Sequence, residues 1–230
     1  MSVVPQAIML DDWGGPPIAG VLSPADSAFS IVFLHDEAGD LDQASAVSVS
    51  QDLADIRRIA LDLPGHGLSA DCPADQGGVW LEQTFRILGD RGFAPFVIAG
   101  FGRSAALAHR LAVNTATLGL VVIAPRGAID VVTPSPRGVP LLAFVSGIEA
   151  EADESWRRLR DTVHLPWTVI SMAIPSVELL YPPPMVAATI ASHVSGFSRE
   201  AYSFRTSSSS TGVCPNSECL PSRKGVTDVN

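Results

Sequence analysis

The chain has 230 residues, of which 47% are hydrophobic and three are cysteines. This length fits one domain with a sizeable core, and three cysteines are too few for a disulfide framework. The formal net charge of −9 at pH 7 argues against a nucleic-acid partner. No apolar stretch approaches the roughly 20 residues that span a bilayer, and Met1–Leu10 lacks the positive start of a signal peptide. We therefore expect a cytoplasmic protein without a membrane span.

Taken in chain order, short apolar runs alternate with helical patterns. Ile8–Leu22 contains a Gly-Gly-Pro-Pro turn between apolar segments, which is typical of a β-hairpin at a sheet edge. Six apolar runs predict strands, namely Ser30–Leu34, Arg58–Asp62, Phe96–Ala99, Leu118–Ala124, Pro140–Ser146 and Trp167–Met172. Five stretches predict helices, namely Gln43–Ala54, Gly78–Arg91, Ser104–Ala112, Glu154–Val163 and Pro184–Phe197. This alternation predicts an α/β fold with a mostly parallel sheet and helices on both faces.

The stretch Phe96–Ala112 carries the most informative pattern. An apolar run is followed by a turn containing Gly100 and Gly102, and then by a helix rich in Ala and Leu. This order resembles the nucleophile elbow of the α/β hydrolases, where the pattern is G-x-S-x-G and the serine is the nucleophile. Gly100 matches the first glycine and Ser104 falls on the second. Gly102 therefore stands at the nucleophile position.

A second register of the elbow is open. If the frame moves by two residues, residues 102–106 have the pattern small-x-Ser-x-small, and Ser104 becomes the nucleophile. The following helix favours the first register, because residues 106–112 keep the phase that the resemblance implies only when Gly102 is at the nucleophile position.

Three further segments carry the same resemblance. Phe33–Asp36 resembles the strand-end His-Gly motif that supplies one N–H of the oxyanion hole. Asp62–Ser69 matches the D-x-x-G-x-G-x-S turn after the next strand, which implies a structural role for His66. Ser176–Ile190 resembles the segment that begins with the catalytic histidine. The matches cover most of residues 8–197 and imply a single-domain α/β-hydrolase-like fold.

The resemblance also implies that every position of the catalytic triad is altered. A triad needs a nucleophile, a base and an acid. Besides Gly102, the base position holds Ser176 and the acid position holds Ala150. Three carboxylates near Ala150 could replace the acid, namely Glu149, Glu151 and Asp153. A base is harder to replace, because the candidates His164 and His193 lie far from the expected loop.

The oxyanion region departs from the same pattern. Where the resemblance implies a glycine after His35, the chain has Asp36 and then Glu37. Carboxylates beside a site where negative charge develops would destabilise the transition state. Either these two form a solvated loop, or they pair with Arg103. We take His35, Asp36, Glu37 and Arg103 as the candidate ligand-binding region.

Two segments bear on the organisation of the chain. Residues 125–139 form a short Pro/Gly/Arg loop where a helical cap is usual, so we expect no cap and a shallow pocket. Residues 203–230 are rich in Ser, Thr, Gly and Pro, so we expect a disordered tail after a domain of residues 1–202. Cys214 and Cys219 in this tail have no nearby histidine, and we expect neither a metal site nor a cofactor.

These observations lead to three functional hypotheses. The leading one is a degenerate α/β hydrolase, or pseudoenzyme, that binds a partner protein or a small ligand. The alternative is a small cap-less serine esterase or thioesterase with Ser104 as nucleophile and His164 or His193 as base. The third is a different reaction that uses Asp36, Glu37 and Arg103.

Overall fold

A single twisted sheet is the centre of the molecule. The computed structural model describes residues 4–11, 14–73, 76–126, 139–149, 167–210 and 225–229. The strands are β1 (Gln6–Leu10), β2 (Ile18–Ser23), β3 (Ser30–Leu34), β4 (Arg57–Leu61), β5 (Phe96–Phe101), β6 (Thr117–Ile123), β7 (Leu141–Ser146), β8 (Trp167–Met172) and β9 (Gly225–Val229). Their order in the sheet is β1-β2-β4-β3-β5-β6-β7-β8-β9. The pairs β1–β2 and β2–β4 are antiparallel and the other pairs are parallel, which confirms the predicted architecture.

Helices cover both faces of this sheet. The described α-helices are α1 (Leu41–Ser48), α2 (Gly77–Asp90), α3 (Ser104–Asn114), α4 (Ser176–Leu180) and α5 (Pro184–Ser210). Apolar residues of α2 and α3 pack on one face, and those of α1, α4 and α5 pack on the other. Within the described ranges, no helix has the length and apolar content to cross a membrane. The predicted helix Glu154–Val163 and most of the predicted cap-less loop, residues 127–138, lie outside the described residues.

The strand β3 explains why the central strands could be recognised in the sequence. Ile31 and Phe33 belong to the core under α1 and α5, while Val32 and Leu34 belong to the core under α2 and α3. Successive side chains of a strand point to opposite faces, so a strand covered on both faces must be apolar throughout. All residues of β3 are buried. The unbroken apolar run thus predicted a central strand with the observed bounds.

The first helix is shorter than predicted. Its predicted range was Gln43–Ala54, but α1 ends at Ser48 and a separate 3₁₀ turn covers Gln51–Leu53. Ser50 lies between them, and its hydroxyl accepts a hydrogen bond from the Asp52 N–H. Serine in this role starts a new turn rather than continuing an old one.

The C-terminal region differs from the prediction. The last helix was expected to end at Phe197, yet α5 continues to Ser210 and β9 pairs with β8. Hydroxyls of Thr206 and Ser207 donate to the carbonyl of Ser203, and the Arg205 guanidinium donates to the carbonyl of Thr117 at 3.2 Å. These polar contacts extend the helix beyond its apolar part. The predicted boundary at residue 202 falls inside this helix, and residues 211–224 of the predicted tail lie outside the described residues.

A pair of glycine substitutions tests how tightly α5 packs on the sheet. A Cβ on Gly119 of β6 would lie 2.7 Å from the Phe197 ring, whereas a Cβ on the exposed Gly196 of α5 meets nothing within 4 Å. We expect Gly119→Ala to lower the free energy of unfolding by about 1–3 kcal/mol through overpacking. Gly196→Ala should raise it by about 1 kcal/mol, because alanine favours a helix interior. Urea unfolding of both variants measures this, and equal effects would contradict the described packing.

Candidate functional site

The loops that carry the candidate residues meet at one edge of the sheet. Residues 35–40 follow β3, residues 102–103 follow β5, and residues 147–149 follow β7. In a parallel sheet the carboxyl ends of the strands share an edge, which is where α/β proteins place their ligand sites. The topology therefore brings the candidate ligand-binding region and Gly102 to this edge, together with residues 147–149.

The turn between β5 and α3 follows the first register. Gly102 has φ +54°, in the left-handed region that side chains disfavour. Ser104 is the first residue of α3 and its side chain is buried, with 3% of its surface exposed. The residue of this turn with positive φ is therefore Gly102, and Ser104 lies within the helix that follows.

The carboxylate of Asp36 occupies the space beside this apex. Its Oδ1 atom accepts hydrogen bonds from the backbone N–H of Arg103 at 2.8 Å and from that of Glu37 at 2.9 Å. Only 6% of Asp36 is exposed. A Cβ on Gly102 would overlap the Asp36 carboxyl group. The side chain thus fills the position that a nucleophile on residue 102 would need.

The two backbone N–H groups that donate to Asp36 stand where the resemblance implies the donors of an oxyanion hole. In the α/β-hydrolase elbow these donors come from the residue after the nucleophile and from the loop after β3. Here they belong to Arg103 and Glu37, and we call them the amide pair. The expectation of a solvated loop is wrong for Asp36. The expected pairing with Arg103 is found for Glu37, whose carboxylate lies 3.1 Å from the guanidinium in an exposed ion pair.

The backbone of Asp36 is held as firmly as its side chain. Its N–H donates to Oε1 of Gln43, and its carbonyl accepts from the N–H of Gly39 at 2.8 Å. Gln43 is buried on the first turns of α1. Sequence reasoning missed this residue, because a glutamine near a helix start follows no pattern that distinguishes it from a solvent-facing one.

His35 holds the base of the same loop. Its imidazole is fully buried, and the Leu63 N–H donates to Nε2 at 3.0 Å. Nε2 must therefore be unprotonated, so Nδ1 carries the proton and donates to the carbonyl of Asp36 at 2.7 Å. Burial lowers the pKa of His35. The geometry gives this histidine a structural position with both ring nitrogens engaged.

The turn after β4 is built as the resemblance implied. Ser69 donates from its hydroxyl to the carbonyl of Asp62 at 2.9 Å and accepts from the Ala19 N–H at 2.9 Å. His66 Nε2 lies 2.8 Å from the carbonyl oxygen of Glu37. His66 therefore links this turn to the loop that carries Glu37, which supports its predicted structural role.

The expected base position, Ser176, follows β8, and Glu149, a candidate replacement for the acid, follows β7. Ser176 begins α4, and its N–H donates to Oε1 of Glu149 at 3.4 Å. The Ser176 hydroxyl lowers the pKa of Glu149, and the charge of Arg126 acts in the same direction. His193 packs against the ring of Phe144 on another part of the fold. Within the described residues, no imidazole contacts Glu149 or Ser104.

The remaining candidates for these roles are not described. Ala150, Glu151, Asp153 and His164 lie outside the described residues. Among the residues that the structure describes, no group of three or more His, Cys, Asp or Glu side chains is arranged to hold a metal ion.

Comparison with solved structures identifies the fold. An esterase domain from Rhodothermus marinus superposes with a TM-score of 0.65 at 15% identity, over 86% of this chain and 99% of that chain. A Pyrococcus furiosus esterase gives 0.66 at 14% identity, over 86% and 93%. A serine hydrolase without a lid from Xanthomonas campestris gives 0.63 at 16% identity, over 85% and 94%. No protein-family model and no curated protein matches the chain. The chain has the α/β-hydrolase fold.

The contact between Gly102 and Asp36 predicts a large effect of a small side chain. Gly102→Ala adds backbone strain of about 1 kcal/mol and overpacking of about 1–3 kcal/mol against the carboxyl group. The matched control is Gly92→Ala, since Gly92 has φ +79° and a Cβ there meets nothing within 4 Å. Denaturant unfolding should show a clearly larger loss for Gly102→Ala. Equal losses would mean that the Asp36 carboxyl group does not fill the space beside Gly102.

The buried histidines predict how stability depends on pH. Burial lowers the pKa of both His35 and His109 below the ordinary 6.5. The unfolded chain then binds more protons than the native one as pH falls through about 6.5, so stability falls in the same direction. We expect a lower free energy of unfolding at pH 5.5 than at pH 7.5. The difference should shrink in His35→Gln and in His109→Gln, and an unchanged difference in both would contradict this origin.

Proposed function

We propose that this chain is an α/β-hydrolase-fold protein without serine-hydrolase activity, which acts by binding a partner protein or a small ligand. The single observation that carries the proposal is the position of Asp36. Its carboxylate accepts both N–H groups of the amide pair and fills the space beside Gly102. A protein with this site lacks both the nucleophile and the free donors that acyl transfer needs.

Magnitudes favour this proposal over weak residual catalysis. Loss of a single oxyanion-hole donor costs an enzyme about 10²–10³ in kcat. Here two donors are occupied by a carboxylate, whose negative charge has the same sign as the charge that would develop on the substrate oxygen. A tetrahedral intermediate would therefore have to displace a buried carboxylate before either N–H could stabilise it. Because Gly102 has no side chain, residue 102 also cannot form a covalent acyl-enzyme intermediate.

A second candidate is the small cap-less serine esterase or thioesterase that uses Ser104. It is favoured by the solved structures of similar fold, which include esterases and a serine hydrolase without a lid. Against it, Ser104 lies buried in the first turn of α3. The candidate base His193 packs against Phe144 instead. His164 lies outside the described residues, so its recruitment as a base stays an open part of this candidate.

The charged surface around the amide pair bears on the nature of the ligand. Glu37 and Arg103 are exposed at the edge of the site and carry opposite charges. A ligand or protein that binds there would meet this pair of opposite charges. A cytoplasmic location and the absence of a cofactor stay predictions.

An activity-based probe separates the two candidates. We expect a fluorophosphonate probe to leave the protein unlabelled and hydrolysis of p-nitrophenyl acetate to stay near the uncatalysed rate. The physical reason is that a triad with its oxyanion hole supplies many orders of magnitude, and this site has neither a nucleophile on residue 102 nor free donors.

The controls use two buried serines at the same edge of the sheet. Ser104→Ala tests the alternative nucleophile, and Ser176→Ala is the matched control. Labelling that disappears in Ser104→Ala but persists in Ser176→Ala would establish the esterase. Saturable ester turnover that depends on Ser104 would overturn the proposed function in the same way.

A further inference from the structure

The amide pair joins two separate segments through one oxygen atom. The Glu37 N–H belongs to the loop after β3, and the Arg103 N–H lies at the start of α3. Both donate to the same Oδ1 atom of Asp36, at 2.9 and 2.8 Å. Two donors that converge on one oxygen from different segments form a geometry that selects a carboxylate or oxyanion over a neutral group.

We infer that the Asp36 side chain is an internal ligand that replaces both the nucleophile and the substrate oxygen, and so keeps the site closed to external carboxylates and acyl groups. The inference rests on the proposed function and adds that the amide pair is a carboxylate-binding site, which the chain's own Asp36 occupies in the folded protein.

Electrostatics favours an anion at this point. Arg103 is the N-cap residue of α3, where the N–H groups of a helix end have no partner within the helix and the helix dipole attracts negative charge. The N–H of Arg103 is one of these groups, and the carboxylate of Asp36 accepts it at 2.8 Å. A charged acceptor makes these bonds stronger than a neutral one would.

The same geometry couples Asp36 to Gly102. A Cβ at position 102 would overlap the Asp36 carboxyl group, so a side chain at 102 and the carboxylate exclude each other. The glycine is therefore compatible with the internal ligand, and a serine at this position requires its withdrawal. Residues in such direct conflict show non-additive effects of substitution.

A double-mutant cycle tests this coupling. Gly102→Ser should lower the melting temperature by more than about 5 °C in the wild-type background, through strain and overlap together. In the Asp36→Gly background, the same substitution should lower it by less than half as much. Additive shifts would overturn the inference, because they would mean that Asp36 does not occupy the space at position 102.

Chemical rescue tests the role of Asp36 as a ligand. Asp36→Gly leaves the amide pair without its carboxylate, and sodium formate at 0.5 M supplies a small replacement. Against sodium chloride of equal concentration, formate should raise the melting temperature of Asp36→Gly by about 2–5 °C. The matched control is Asp40→Gly, since Asp40 caps α1 through a single exposed hydrogen bond to the Asp42 N–H. Formate should not raise the melting temperature of this control or of the wild type.

Two readouts keep the test independent of ester hydrolysis. In ¹⁵N–¹H spectra of Asp36→Gly, formate should shift the amide signals of Glu37 and Arg103 together, with one saturation curve.

If Asp36→Gly does not fold, Asp36→Asn gives the second test. This variant should keep the fold but lose stability, because a neutral acceptor replaces a charged one. Formate stabilisation of wild type and Asp40→Gly as large as that of Asp36→Gly, or an Asp36→Asn variant as stable as wild type, would overturn the inference. A labelled Ser104 alone would overturn the proposed function and leave this contact standing.

Discussion

The candidate site depends on backbone N–H groups that need acceptors. At the start of α3 and in the loop after β3, the amide pair has no partner within a helix or a strand. In the hydrolase elbow, such donors are held ready for a developing oxyanion. Here the chain supplies its own acceptor in Asp36. The position of Asp36 then sets the requirement for glycine at 102 and for the buried amide of Gln43 beneath the loop.

Neighbouring turns hold this arrangement in place. His35 links the loop after β3 to the backbone of Leu63, and His66 links the turn after β4 back to the carbonyl of Glu37. The loop that carries Asp36 is therefore fixed from both ends by imidazole groups. On the other half of the edge, the Ser176 N–H donates to Oε1 of Glu149 and links the loops after β8 and β7. Among the described residues of this edge, His35 and His66 thus hold the backbone of the loops.

Most of the fold was predictable because the central strands consist largely of buried apolar residues. The bounds of β3 and β8 agree with those predicted, and the left-handed residue of the elbow was placed at Gly102. What could not be predicted depends on tertiary contacts. Asp36 follows a buried strand in a polar loop, and only the converging N–H groups show why it is buried. The extension of α5 depends likewise on polar contacts such as that of Arg205 with the carbonyl of Thr117, which composition does not reveal.

A fold of this kind can exchange reactivity for stability through very few residues. An elbow with serine at its apex carries backbone strain, and its oxyanion hole carries donors without a permanent acceptor. Glycine at 102 removes the strain, and Asp36 satisfies the donors. Under the proposed function, both features lower the energy of the resting protein at the point where acyl transfer would need it raised. The similarity of fold to esterases at 14–16% identity is fully compatible with this outcome, because fold is set by the sheet and activity by the apex.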